Sequence, residues 1–265
     1  MYSLLLRCRP EDVDLLSGDL WTEGTEGIQE LADDNGVLLI ASFAGSENRE
    51  HLLAHFGPFA PKWRQERAID WVEATKSAWP ARQVGERIFL VPHWSTDPTP
   101  AGRKRLVHNP ALACGTGEHP CTQLALIALE QFVEPGFGVV DVGTGSGILA
   151  IAAARLGARF AFGIDTDKAA LQAAKQNFEL NELKANLVAG SADCLAVDCA
   201  DVTIANINAT VLLFLVEDLI RITKVDGRLI LTGFTEAELN GLRRNFTNSS
   251  VLEMDEWRCL IIKTF

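Results

Sequence analysis

No two of the six cysteines stand in a C-x-x-C pair. Thiols scattered in this way build neither a zinc finger nor a disulfide framework, and they read as reduced cysteines of a cytoplasmic protein. No apolar run approaches the ~18 residues of a membrane span. The opening MYSLLLRCRPEDVD turns charged too soon for a secretory leader, so neither a signal peptide nor a membrane anchor is expected. Basic residues are also in deficit: 24 Lys and Arg stand against 35 Asp and Glu, for a formal net charge of −11. Such a chain is poorly suited to neutralising phosphates, and direct nucleic-acid binding is not expected. A basic protein is the better-matched partner, through long-range attraction. Internal repeats and low-complexity tracts are lacking too, which excludes a solenoid.

What is present is an ordinary globular composition, 265 residues with 48% apolar side chains. That length suits one large domain or two modest ones. The first sixty residues alternate short elements. YSLLLRC, GIQELAD and GVLLIASF read as strands, PEDVDLLSGDLW as a helix opened by Pro10, and SENREHLLAHF as a helix with Ser46 as N-cap. Asp34-Asn35-Gly36 is a hairpin signal, because Asn and Gly tolerate positive φ. The order β-α-β-β-α suggests a small α+β, ferredoxin-like domain over 1–58. A helical linker over 59–80, including AIDWVEATKSAW, follows. RIFLVPHW and RKRLVHN then read as two strands.

From 135 onward, strands and helices alternate. GVVDVG, RFAFGID, ANLVAG, DVTIANI and GRLILTGF are short and apolar on both faces, as in a parallel sheet covered by helices. VLEMDEWRCLIIKTF reads as two further strands with a tight bend near Trp257, forming an antiparallel C-terminal edge. The expected fold of 81–265 is therefore α/β and Rossmann-like.

Two glycine-rich stretches lie close together in this region. The second, DVGTGSGILA, ends a buried strand and opens a helix. Gly143, Gly145 and Gly147 let the backbone turn tightly, and the helix start presents free N–H groups to a ligand. A dinucleotide loop would read G-x-G-x-x-G, but Ile148 stands where its third glycine belongs. Asp141 precedes the loop. A pyrophosphate gains nothing from a carboxylate there, whereas a cofactor carrying an ammonium and a sulfonium does. The pattern thus favours S-adenosylmethionine over NAD, although an Asp141 that merely serves the helix start stays open. Asp165, at the end of the next strand, is placed to accept ribose hydroxyls, as acids in NAD enzymes also do. Asp193 is a weaker candidate for an adenine amino group, and a turn-capping role describes it as well.

Asn206 ends the fourth strand, near the expected switch in strand order. Methylation of an amine needs a neutral nitrogen lone pair aimed at the methyl carbon. A free lysine, with a pKa of about 10.4, is almost wholly protonated at neutral pH. An amide oxygen can accept amine N–H bonds and orient the lone pair without a charge that holds the ammonium form. Catalysis would then be mainly positioning. A buried structural Asn is the alternative. His119 reads either as a base or, beside Pro120, as a loop-shaping residue. Trp94 and Trp257 read as an aromatic wall or as core packing.

Taken together, GERIFLVPHW, NPALACGTGEHPCT, DVGTGSGILAIAAARLGA, GIDTDKAALQAAKQN and ANINATVL, in that order, resemble the ribosomal protein L-eleven methyltransferases, the PrmA family. The resemblance runs from about IDWVEATKSAW to the C-terminus, and the small first domain fits the family's substrate-recognition domain. It implies a class I S-adenosylmethionine-dependent protein N-methyltransferase acting on lysine or N-terminal amines of a basic ribosomal protein. It also implies a first glycine loop, with Gly115 and Gly117, that closes over what the second cradles. Carried over by position, cofactor contacts fall on Thr122, Gly143, Asp165 and Asn206, and Asn206 is also the catalytic residue. No metal is implied, and a monomer is expected. Departures include Cys121 for a Thr, Thr144 for a common Cys, Glu118 for a frequent Thr, and NPALA for D-P-G-L-A. They leave open a different protein or a small amine as substrate, or a non-catalytic cofactor-binding module.

Overall fold

A computed structural model describes residues 2–33, 36–65, 79–110, 117–246 and 248–265. The chain divides into two compact units, Met1–Thr75 and Lys76–Phe265. The Asp34-Asn35 part of the hairpin signal and most of AIDWVEATKSAW lie outside the described residues.

In the first unit the elements are β1 (Tyr2–Cys8), α1 (Val13–Thr22), β2 (Gly27–Asp33), β3 (Gly36–Phe43), α2 (Arg49–His55) and β4 (Lys62–Gln65). The sheet order is β2-β3-β1-β4 with antiparallel neighbours. That is the ferredoxin-like arrangement. Alternation sets its buried face: Leu4 and Leu6 of β1 join Leu39 and Ala41 of β3 in one core with Leu16, Leu20 and Leu52 from the helices. The sixth element, β4, falls inside the expected linker and carries the sheet to Gln65. Its sequence KWRQ offers one apolar side chain. Trp63 stacks on Tyr2 at 5.7 Å between ring centroids. Helix α2 opens at Asn48 and not at Ser46, whose carbonyl instead accepts from Arg49 N at 3.2 Å.

The second unit begins with β5 (Arg82–Val84), β6 (Ile88–Pro92) and β7 (Lys104–His108), which form a separate three-stranded sheet. Strands β6 and β7 pair in parallel, and β5 joins β6 antiparallel. Helix α3 (Pro120–Phe132) then leads to β8 (Gly138–Val142), α4 (Ile148–Leu156), β9 (Phe160–Asp165), α5 (Lys168–Leu180) and β10 (Leu187–Ala189). The chain continues through β11 (Ala200–Asn206), α6 (Ala209–Ile222), β12 (Thr223–Thr235), α7 (Glu236–Arg243), β13 (Ser249–Met254) and β14 (Trp257–Lys263). The main sheet has seven strands in the order β10-β9-β8-β11-β12-β14-β13. Its first five strands are parallel, and β14 runs antiparallel between β12 and β13. The last strand is thus interior to the sheet, and β13 forms the edge.

Both faces of this sheet are covered, as continuous apolar strands require. Val139, Ile204 and Ile230 face a core built with α3 and α4, including Leu126 and Ile151. Their neighbours Val140, Ala205 and Leu231 face the opposite core with Leu212 and Leu219 of α6. Strand order reverses between β8 and β11, so the carboxyl ends of these two strands frame the crevice where open α/β sheets bind ligands. No helix among the described residues is long and apolar enough to cross a membrane.

Candidate active site

A cleft of about 510 Å³ opens at that reversal point. One wall is the turn after β8, residues Gly143–Ser146, followed by Ile148 and Leu149 of α4. The other wall holds Asn206 and Ile207 after β11, with His119 and Thr122 at the start of α3. Among the described residues that line it there is no lysine or arginine.

The turn needs its glycines. Gly143 has φ +71°, and a Cβ there would stand 2.6 Å from Ile207 Cγ2 across the cleft. Gly147 has φ +78°, and a Cβ there would stand 2.9 Å from Ala174 Cβ, so it sets how closely α4 packs on α5. The backbone of the turn is anchored by Gly143 N and Thr144 N, which both donate to Ile164 O, at 2.9 and 3.1 Å.

Asp165, half-buried at the end of β9, accepts from Gly145 N at 2.9 Å through Oδ2 and from Asp167 N at 3.0 Å through Oδ1. Its carboxylate therefore stands at the loop, as the sequence places it. Asn206 Nδ2 donates to Thr122 Oγ1 at 3.2 Å. Of the four expected cofactor contacts, three line this cleft (Thr122, Gly143 and Asn206), and Asp165 holds its turn from below. The segment 111–116, with Cys114 and Gly115, lies outside the described residues.

Asp141 differs from expectation. It is 1% exposed, beneath the turn and not at its mouth. Its Oδ2 accepts from Thr144 Oγ1 at 2.6 Å and from Ala150 N at 3.2 Å, so it holds the turn and the start of α4 together. Oδ1 is buried with no hydrogen-bond partner among the described residues. Desolvation pushes its pKa up to about 7. Thr144, one of the departures in sequence, thus supplies a hydroxyl that this carboxylate uses.

His119 lines the cleft at the start of α3. It is the N-cap of α3, its Nδ1 accepting from Cys121 N at 3.3 Å, which leaves the neutral ring's proton on Nε2. The indole of Trp257 meets this imidazole edge to face at 4.5 Å, so Trp257 backs the cleft wall. Trp94 packs on His93 at 4.8 Å and is not among the described residues of the cleft. Asp193 is exposed in a short 3-10 turn, Ala192–Cys194. Glu118 pairs with Arg82 of β5 at 3.4 Å.

Sequence reasoning missed Asn177 on α5 and Asn181, the C-cap of that helix, both 1% exposed. Asn177 Nδ2 donates to Ser146 O at 2.8 Å, and its Oδ1 accepts from Asn109 N at 2.9 Å. It thereby ties the glycine turn to the segment that leads toward the first glycine loop. Asn181 exchanges two bonds with Val107 of β7, at 2.9 and 2.6 Å. The usable signal was amides at i and i+4 beside the apolar Ala173, Ala174 and Phe178, where helix periodicity demands burial.

A family model described as "Ribosomal protein L11 methyltransferase (PrmA)" matches residues 30–264. Curated proteins of that name from Streptococcus equi subsp. zooepidemicus and Streptococcus pyogenes serotype M6 are each 36% identical over 201 residues. Those matches cover 73% of this chain and 63% of each relative, so the chain spans less than two thirds of the length of these proteins. The crystal structure of a ribosomal protein L11 methylase from Lactobacillus delbrueckii subsp. bulgaricus superposes with a TM-score of 0.64 at 30% identity. That superposition covers 70% of this chain and 99% of the other. On the strength of the ordered glycine turn, the strand order and these matches, the chain belongs to the ribosomal protein L11 methyltransferase (PrmA) family.

Proposed function

We propose that the chain is an S-adenosylmethionine-dependent N-methyltransferase whose substrate is ribosomal protein L11, modified at lysine or N-terminal amines. The observation that carries this reading is a single cleft in which the Gly143 turn faces the Asn206–Thr122 pair at the carboxyl ends of parallel strands. A cleft whose described lining holds no lysine or arginine suits a cationic ligand better than a pyrophosphate. The bound cofactor would supply an electrophilic methyl carbon on a sulfonium.

The residues of this chain then have distinct work. Asp165 would accept ribose hydroxyls, and the Gly143 backbone would approach the cofactor without a Cβ in the way. Thr122 Oγ1 fixes the Asn206 amide, which leaves Asn206 Oδ1 free to accept an N–H from the incoming amine and aim its lone pair. The substrate ammonium would release one proton to solvent before it enters the cleft, and its nitrogen would then take the methyl group from the sulfonium, leaving a neutral thioether. Ile148, Leu149 and Ile207 narrow the cleft and exclude water, which favours the neutral amine. The unit Met1–Thr75 serves substrate recognition, and the net charge of −11 favours a basic protein in the cytoplasm.

Incubation with S-adenosylmethionine and purified ribosomal protein L11, followed by mass spectrometry, tests the reading. The expected result is a mass gain of whole methyl groups on lysine or the N-terminus. An unmodified L11 beside a methylated small amine would move the substrate assignment. Binding of cofactor with no methyl transfer to any amine would make the chain a binding module.

A further inference from the structure

Within the small unit, three metal-ligating side chains come together. His51 and His55 are four residues apart on α2, so their rings project from the same side of the helix, 5.8 Å between centroids. Glu23 follows the end of α1 and reaches His51, with Oε2 and Nε2 3.0 Å apart. One ligand atom from each of the three lies within 4.8 Å of the others.

We propose that Glu23, His51 and His55 form a binding site for a divalent transition-metal ion, with zinc the best match. Two imidazoles and one carboxylate form a donor set for zinc that leaves a fourth tetrahedral position to water. Imidazole nitrogens select zinc, copper and nickel over magnesium and calcium. Metal–ligand distances of about 2.0–2.2 Å place tetrahedral donor atoms roughly 3.3–3.5 Å apart. The Glu23–His51 pair, at 3.0 Å, needs to open by only about half an ångström to reach such a spacing. Both histidines are exposed, so a turn of the His55 ring brings in the third donor without disturbing the core. Glu23 and His51 are 28 residues apart. The ion would therefore cross-link the end of α1 to α2, stiffening the helical side of this unit. This proposal stands independently of the methyltransferase reading.

Calorimetric titration of the full chain with zinc chloride tests it, together with cobalt(II) absorption spectroscopy. The expected result is one ion per chain, visible cobalt bands of nitrogen and oxygen ligation, and no thiolate charge-transfer band. His51→Ala and His55→Ala should each weaken binding at least ~10-fold, and Glu23→Gln by roughly 3–10-fold. All three variants keep every cysteine, so thiol binding is separated from binding here. Circular dichroism checks their folding, and if a histidine variant unfolds, Glu23→Gln carries the test alone. Absence of saturable uptake by the wild-type chain overturns the proposal. So does equal uptake by folded variants, or a thiolate signature.

Discussion

Asn206 Nδ2 donates to Thr122 Oγ1 at 3.2 Å, a bond between residues 84 positions apart that joins the fourth parallel strand to the helix before the first. With its nitrogen held by Thr122, the amide presents its oxygen in a fixed orientation. Asn206→Ala is therefore expected to lower kcat by at least ~10-fold while changing the cofactor Kd by less than about threefold. Thr122→Val should lower kcat in the same direction, and Thr122→Ser should restore it. Methylation kinetics alongside cofactor calorimetry make the check, and equal losses in both quantities would assign Asn206 a purely structural role.

Asp165 accepts two backbone N–H bonds, one on each carboxylate oxygen, so each oxygen keeps acceptor capacity for a further donor. Asp165→Ala is expected to weaken cofactor binding by about 1–3 kcal/mol, through lost charge-assisted bonds and a looser Gly145. Calorimetry with S-adenosylmethionine reads this. An unchanged Kd would remove Asp165 from the site.

Burial of Asp141 gives a pH signature. Its pKa rises from 3.8 to about 7 on folding, so between these values the folded chain holds a proton that the unfolded chain has released. This group's contribution to stability is therefore largest at acid pH, falls as pH rises through that window, and is level above it. Asp141→Asn keeps an acceptor for Thr144 and Ala150 but cannot ionise. The stability of the wild type relative to this variant should drop by about 1–3 kcal/mol between pH 5 and pH 8. Urea unfolding at the two pH values measures the difference.

Asn177 and Asn181 allow a controlled comparison, since both fasten α5 to neighbouring backbone and only Asn177 touches the glycine turn. Each Ala variant is expected to lose about 2–3 kcal/mol of stability. Only Asn177→Ala should also weaken cofactor binding, because Ser146 O loses its anchor. Similar affinities in the two variants would show that the turn holds itself.

Much of this was legible in the residues. The glycine spacing, with Ile148 in place of a third glycine, marks the turn, and the acid that ends the next strand marks Asp165. Short strands apolar on both faces announced the parallel sheet. Other features depended on long-range packing that no local pattern encodes. Strand β4 is hard to read because KWRQ is nearly all polar, and its one apolar side chain, Trp63, is marked only by packing on Tyr2 and Phe43. Sequence gives the position of Asp141 along the strand and so suggests a ligand, whereas Thr144 and Ala150 decide where its carboxylate points. The interior place of β14 follows from its pairing with both β12 and β13, and a reading of two consecutive strands cannot tell which one is outermost.

The edge-to-face contact of His119 and Trp257 also gives the chain a built-in optical reporter. Indole emission is sensitive to an imidazole at 4.5 Å, and this imidazole forms part of the cleft wall. Any ligand that shifts or polarises His119 is thereby coupled to the fluorescence of a tryptophan just behind it. The difference spectrum against Trp257→Phe isolates that signal from the other indoles, so occupancy of the cleft can be followed in real time without a label.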